Sequence, residues 1–333
     1  MEARVRTSLP TGAWAYEPKW DGFRCLSWSG PEPRMDSRNQ KPLLRYFPEL
    51  EAPIAGLPRG TVVDGEVVVV TGDRLDFDAL QLRLHPAQSR NELLAERTPA
   101  RIVAFDLLAH AGEDLRDAPF RERRARLESL VDELDDPAWN LTPSTEDRDL
   151  AMRWFDEFEA AGCDGIVAKK ADGPYVEGER DMVKLKHRRE VDAVVGGYRV
   201  HKEGDRIGSL LLGLYDDRGE LSFIGHCSGF PDHDRKELLE LFERYRADDS
   251  FGEAGAVRRP GEPSRWTGDK DLSWVPVTPG VVVQVSYDQL SGNRFRHATR
   301  FERWRPDKDA AACTMDQLER PEGPGFSDVV APA

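Results

Sequence analysis

Apolar and polar positions change rhythm several times along the chain, and each change marks an element. YEPKWDGFRCLSWSG reads as two extended runs broken at Asp21-Gly22. TVVDGEVVVVTGD is a valine-rich β pair bounded by glycine, and RIVAFDLLAHAG is a short buried strand followed by a turn. LDFDALQLRLHP has helical spacing and stops before Pro86. FRERRARLESLVDEL puts Phe120, Leu127, Leu130, Val131 and Leu134 on one helical face. DRDLAMRWFDEFEAAG does the same with Leu150, Trp154, Phe155, Phe158 and Ala161; Ser144 or Thr145 is the expected cap and Gly162 the expected stop. DGIVAKK and DMVKLKH read as strands.

Beyond residue 189 the pattern becomes mostly β. VDAVVGGYRV, GSLLLGLYDD and ELSFIGHCSG alternate with glycine-rich turns, and Asp216–Gly219 reads as a hairpin turn. DRKELLELFERYR interposes one helix with Leu238, Leu241, Phe242 and Tyr245 on a face, and WVPVTPGVVVQVSYDQL returns to β. Several strands around one helix fit a small Greek-key barrel of the oligonucleotide-binding (OB-fold) kind. The fold class is therefore α+β, with three expected segments: 1–189, 190–315, and a disordered tail over 316–333.

Length supports two domains: 333 residues is long for one. No apolar run approaches the ~18 residues of a membrane span, and the N-terminus lacks a secretory apolar core. The four cysteines are scattered without a C-x-x-C pair, which argues against a zinc ribbon or disulfide scaffold and for reduced thiols in a cytoplasmic protein. The net charge of −14 excludes a uniformly basic nucleic-acid-coating protein, but the charge is uneven. Residues 128–159 carry eleven Asp/Glu and two Lys/Arg, whereas 294–308 carry six Lys/Arg and two Asp/Glu. A phosphate backbone senses such local surface within a Debye length of about 8–10 Å.

Several short strings bear chemistry. Glu17, Lys19 and Asp21 alternate, so an extended run places them on one strand face. Lys19 and Asp21 are the catalytic candidates, with Arg24 close behind; a lysine nucleophile needs a site that lowers its pKa or removes its proton. An ordinary surface hairpin with a Lys–Asp pair gives the same string. Asp64 and Glu66, two apart, suit oxygen ligation of Mg²⁺ or a plain D-G turn. Asp164 and Lys169 are five apart and need a turn or bulge to share a site, while Lys184 and Lys186 make a two-lysine face that calls for an anion. RFERWRPDK sets Arg303, Arg305 and Asp307 on one side, with Lys308 next.

The ordered set is more specific than any member. KWDG at 19–22, SRN at 37–39, DGE at 64–66, FDLL at 105–108, DGIVAK at 164–169, KLK at 184–186 and RPDK at 305–308 resemble the signature of ATP-dependent DNA ligases. SRNQKPLLRYFPEL and LQLRL are similar to the short bacterial type, related to the ligase module of bacterial end-joining enzymes. The resemblance implies an adenylation (nucleotidyltransferase) domain followed by an OB-fold barrel. It implies that Lys19 takes AMP from ATP and that AMP passes to the 5′-phosphate of nicked double-stranded DNA. It assigns Glu17 to the adenine amino group, Phe105 to stacking on the ring, and Arg24 and Arg38 to the nucleotide or nick phosphate. Glu66 binds ribose or metal and Asp164 metal (Mg²⁺, with Mn²⁺ as the alternative). Lys169, Lys184 and Lys186 hold the α-phosphate, and Arg305, Asp307 and Lys308 orient the leaving pyrophosphate from the second domain through a hinge near 187–192. A bacterial monomer is expected, associated with the nucleoid when on DNA and open to repair or end-joining proteins. Asp164 stands where Glu is more usual, and Met182 where an aromatic often precedes the K-x-K pair. RNA ligases and capping guanylyltransferases share the lysine chemistry, and nucleotide preference separates them; a non-catalytic nucleic-acid-binding protein would not need Lys19, Glu66 and Asp164 together.

With a charge of −14 and only 18 residues ahead of Lys19, nick affinity is expected to be modest and to fall steeply with salt. A titration of nicked-duplex binding across salt concentrations checks this, and a flat profile contradicts it.

Overall fold

A computed structural model describes residues 1–252, 259–262, 271–319 and 321–330. The chain divides into two units, Met1–His187 together with the residues from 320 onward, and Arg188–Glu319.

The first unit holds two sheets. The smaller runs, in spatial order, Ala3–Val5, Met182–Lys186, Gly165–Lys170 and Trp14–Pro18. The larger runs Arg34–Ser37, Phe23–Trp28, Val62–Thr71, Ala100–His110 and Glu113–Asp114, with Arg74–Leu75 and Trp139–Leu141 attached. The valine run makes Val62–Thr71 a central strand, buried at Val63, Val67, Val68 and Val69. Asp64-Gly65 therefore lies inside a strand and forms no turn.

The helix Phe120–Leu134 lays Leu127 and Leu130 into the larger sheet's core, and its first residue, Phe120, is buried too. Its buried Arg123 is matched by the buried Asp106, at 2.8 Å. Pairing is what makes burial of both charges tolerable. The helix Arg148–Glu157 packs on the smaller sheet with Ala151 against Tyr16, Ile166, Ala168 and Leu185. Its cap is Asp147, whose side chain accepts from the Asp149 and Leu150 amides, in place of the expected Ser144 or Thr145.

The second unit is the expected OB-fold domain. Its sheet orders Leu221–Cys227, Ile207–Tyr215, Arg189–Val200, Val282–Tyr287 and Arg300–Trp304, with the helix Asp234–Glu243 against its core. Residues 189–192, expected in a hinge, lie in the strand Arg189–Val200, paired with 284–287. His187 belongs to the first unit, stacked on Phe155 with a centroid distance of 3.9 Å.

The expected disordered tail is corrected. Met315–Leu318 form a turn of 3-10 helix with Leu318 buried in the second unit. Phe326–Val330 form a short helix on the first unit. Phe326 is 0% exposed, meets Trp20 edge-on at 5.6 Å, and joins a cluster with Val68, Leu75, Ala161 and Cys163. The Asp73 carboxylate accepts from the Ser327 amide and hydroxyl. The segment is proline- and glycine-rich and too short for a helical period, so its composition hid two apolar anchors spaced for a pocket elsewhere in the chain. Residues 320 and 331–333 of the expected tail lie outside the described residues.

Phe326→Ala is expected to destabilise the first unit by about 3 kcal/mol through lost burial and a residual cavity. Denaturant unfolding of the full chain reads this as a lower midpoint, with Phe326→Leu recovering most of it.

Candidate active site

A cleft of about 390 Å³ opens in the first unit, lined among others by Glu17, Lys19, Glu66, Phe105 and Lys184. Its floor is set by backbone pairing. The Lys19 amide donates to the Gly165 carbonyl at 2.8 Å, and the Asp164 amide donates back to Lys19 at 2.9 Å. This exchange lets Lys19 Nζ meet the Asp164 carboxylate at 2.8 Å. The corner after Asp164 requires glycine: Gly165 has φ +148°, and a Cβ there would lie 2.0 Å from the Leu185 carbonyl oxygen. Its positive φ at the first residue of the strand Gly165–Lys170 breaks the strict alternation, so that Asp164 lies at Lys19 while Lys169, five residues on, lies at Glu17. Gly22 is needed for a different reason, because a Cβ would lie 2.3 Å from the Val67 carbonyl oxygen.

The alternation expected for Glu17, Lys19 and Asp21 ends at Pro18, the last residue of its strand. Lys19 and Asp21 lie beyond it, so the three do not share a strand face. Asp21 instead adds negative charge near both Lys19 and Glu66.

The cleft's electrostatics follow from desolvation against partners. Burial pulls the Lys19 pKa down, but Asp164, Glu66 and Asp21 outweigh it and leave it above that of an ordinary lysine. The site thus does not make Lys19 a free amine by itself, as sequence reasoning required; its proton has to leave when other charges arrive. Burial pushes Glu66 up to about 8 against the pull of Lys19 and Arg24. Lys184 is lowered by burial and by the neighbouring Lys19 and Lys186. Lys186 reaches the second Asp164 oxygen at 3.4 Å.

Glu17, Lys169 and Phe105 form the other end. Glu17 is 2% exposed and pairs with Lys169 at 2.8 Å. Lys169 Nζ donates to the Phe105 carbonyl at 2.6 Å and sits 4.8 Å from the centre of its ring. One Glu17 oxygen, Oε1, has no hydrogen-bond partner, and neither has the Arg124 nitrogen 3.7 Å from it. Two complementary groups left unsatisfied in a buried place suit a ligand that donates to one and accepts from the other.

Arg24 is fixed by Asp64 through Nε at 3.0 Å and a terminal nitrogen at 2.6 Å, and the Tyr175 hydroxyl donates to the same carboxylate at 2.8 Å. Burial would raise the Asp64 pKa, but Arg24 and Tyr175 hold it below the usual carboxylate range. Asp64 is therefore held by Arg24 and Tyr175, as Asp164 is by Lys19 and Lys186, so a cation at Asp164 would share it with both lysines. No group of three or more His, Cys, Asp or Glu suited to a metal occurs among the described residues. Arg38 is exposed at the cleft mouth, ion-paired with Glu2.

Arg305, Asp307 and Lys308 belong to the second unit. There Asp192 takes one Arg305 nitrogen with both oxygens at 2.8 Å, and Asp307 accepts from Nε at 3.0 Å. Lys308 lies 4.0 Å from Asp192. Sequence reasoning missed Asp192, Arg124, Tyr175 and the anchoring role of Asp64. Arg124 sits in the charged string RERRAR, whose natural reading is a solvated face, and Tyr175 lies in a loop without periodicity. Contacts spanning 151 and 113 residues carry no local signal.

Comparison with known proteins adds lineage to this geometry. Residues 4–186 match the ATP dependent DNA ligase domain family and residues 203–308 the ATP dependent DNA ligase C terminal region. The chain is 48% identical to DNA ligase C2 of Mycolicibacterium smegmatis over 96% of this chain and 94% of that protein. It is also 48% identical to DNA ligase C of Mycobacterium tuberculosis, over 99% and 96% respectively. In fold it resembles a solved Lig E DNA ligase at a TM-score of 0.55 and 17% identity, covering 88% of this chain and 93% of that one.

The Glu66 shift makes a linkage prediction. Its folded pKa lies above the unfolded value, so its contribution to stability is full at pH values below the ordinary glutamate range and is lost as pH rises towards about 8. The nucleotide-free protein is expected to lose thermal stability between about pH 5 and 8, and Glu66→Gln to remove that component in a melting series.

Proposed function

Because the chain belongs to the ATP-dependent DNA ligase family, we propose that it seals 5′-phosphate/3′-hydroxyl nicks in double-stranded DNA through a lysyl-AMP intermediate and an adenylated DNA 5′ end, in repair or end joining. The observation that carries the reading is Lys19, held by Asp164 on the floor of a cleft with an adenine-type end at Glu17 and Phe105 and a phosphate-type end at Lys184.

The unpartnered Glu17 oxygen accepts from the adenine 6-amino group, and Phe105 stacks on the base. A guanine would present an oxygen to that carboxylate, an acceptor facing an acceptor. Lys184 and Lys186 neutralise the α-phosphate. Lys169, being paired with Glu17 and the Phe105 carbonyl, orients the base end, a role closer to adenine than the α-phosphate contact expected from sequence. Glu66 and Asp164 are the carboxylates that would hold Mg²⁺ or Mn²⁺; two carboxylates completed by substrate phosphate suit Mg²⁺. A bound cation would supply charge against the triphosphate.

With its proton gone, Lys19 Nζ bonds to the α-phosphorus as the P–O bond to the β-phosphate breaks, and the electron pair leaves with pyrophosphate. The 5′-phosphate of the nick then takes AMP from the lysine. Finally the 3′-hydroxyl displaces AMP and closes the strand. Arg24, Arg38 and Glu66 bind ribose or nick phosphate in this scheme. Arg305, Asp307 and Lys308 serve the pyrophosphate, and because Asp192 already occupies Arg305, an arriving phosphate has to exchange with a carboxylate. No helix among the described residues is long and apolar enough to cross a membrane. With bacterial relatives on both sides, a monomer acting on nucleoid DNA in the cytoplasm is the simplest setting.

Protein mixed with ATP labelled on the α-phosphate is expected to retain label after denaturation, after a pyrophosphate chase if it was purified adenylated. Lys19→Ala should abolish labelling, and GTP should not substitute. Absence of labelling with either nucleotide after the chase contradicts the proposal.

A further inference from the structure

The smaller sheet of the first unit has two faces, and the cleft uses one. The register pairs Glu17 with Val167 and Val167 with Lys184, so these positions point into the nucleotide side. Arg4 pairs with Val183, one residue out of phase, so Arg4 and Arg6 point to the opposite face. Lys170, paired with Trp14, lies on that face too. A second groove of about 440 Å³ is built there, lined by Arg4, Arg6, Trp14, Lys170 and Arg180 among others.

The groove is unusual in a chain of net charge −14. Lys170 is offset by Asp181 and Arg180 by Glu2. Arg4 and Arg6 are exposed and form no ion pair among the described residues. Two unbalanced guanidiniums therefore face one opening. They stand two residues apart in the chain, Arg4 on the strand Ala3–Val5 and Arg6 just past its end. Arg180 and Met182 line both the groove and the cleft.

We propose that Arg4 and Arg6 form a backbone-binding track for duplex DNA flanking the nick, reached from the cleft across Arg180. The choice of DNA as the polyanion rests on the nick-sealing reading; the track itself rests on the register and the groove. Arg4 and Arg6 contact phosphates and take no part in nucleotide transfer, because the sheet stands between them and Lys19. Charged residues on the edge strand Ala3–Val5 also discourage edge pairing. That role alone would leave DNA affinity untouched.

The test is the full chain carrying Arg4→Gln and Arg6→Gln together, compared with wild type for labelling by ATP without DNA and for binding of a nicked duplex across salt. If each side chain neutralises one phosphate, log affinity against log salt should become shallower by about 1.8, and binding should weaken about eightfold per side chain at about 0.1 M salt. Labelling should be unchanged, and Arg4→Lys with Arg6→Lys should restore most of the slope. An unchanged slope with intact labelling overturns the proposal and leaves edge protection as the role. Loss of labelling in the double variant moves the same comparison to the single variants, each expected to remove about half of the slope change. Failure of wild type to label, or to bind the nick at all, overturns the ligase reading instead.

Discussion

The reciprocal pair of backbone hydrogen bonds between Lys19 and the Asp164-Gly165 corner is the constraint on which the site depends. It joins positions 145 residues apart, and in this arrangement Nζ and the Asp164 carboxylate meet at 2.8 Å. It tolerates no side chain at 165, where the Leu185 carbonyl fills the space. Behind the same corner lie Trp20 and Cys163, packed with Phe326. The reacting pair is thus held from the front by charge and from the back by apolar contact.

Around that corner the first unit solves a problem of too much buried charge. Asp64 is spent on Arg24, Asp106 on Arg123 and Glu17 on Lys169. Each pair fixes a side chain or a loop near the cleft, since a charge left alone in such surroundings would cost several kcal/mol. What remains is informative: one Glu17 oxygen without a hydrogen bond, 3.7 Å from Arg124, the Glu66 carboxyl pushed up by burial, and Lys184 pushed down beside Lys19 and Lys186. These are the groups that a nucleotide and its cation would complete. The raised Lys19 belongs to the same logic, because Asp164, Glu66 and Asp21 together outweigh its burial.

Strings whose partners lie close in the chain were readable in advance. The two amphipathic helices and the hairpin at Asp216–Gly219 appear near their expected places, while the valine run, expected as a β pair, is a single strand. Glu17, Lys19, Glu66, Phe105 and Lys184 gather in one cleft, as their ordered motifs implied. Expectations failed where geometry was extrapolated through a boundary. The Glu17–Asp21 alternation ignored the strand end at Pro18, and the D-G at Asp64-Gly65 proved to be mid-strand.

The sequence by itself determined the family, the order of its motifs and a second, β-rich domain, and it supplied the candidates proposed as nucleophile, cation ligands and phosphate-binding cations. These depend on residue identity and local period, which are written in the chain. Only the tertiary structure decided which charge neutralises which, and therefore which remain for substrate. It assigned Asp64 to Arg24, Asp192 to Arg305 and Lys169 to Glu17, and it placed Phe326 behind the nucleophile. The reason is physical: Coulomb and packing energies depend on distance in space and on burial, and neither is fixed by distance along the chain.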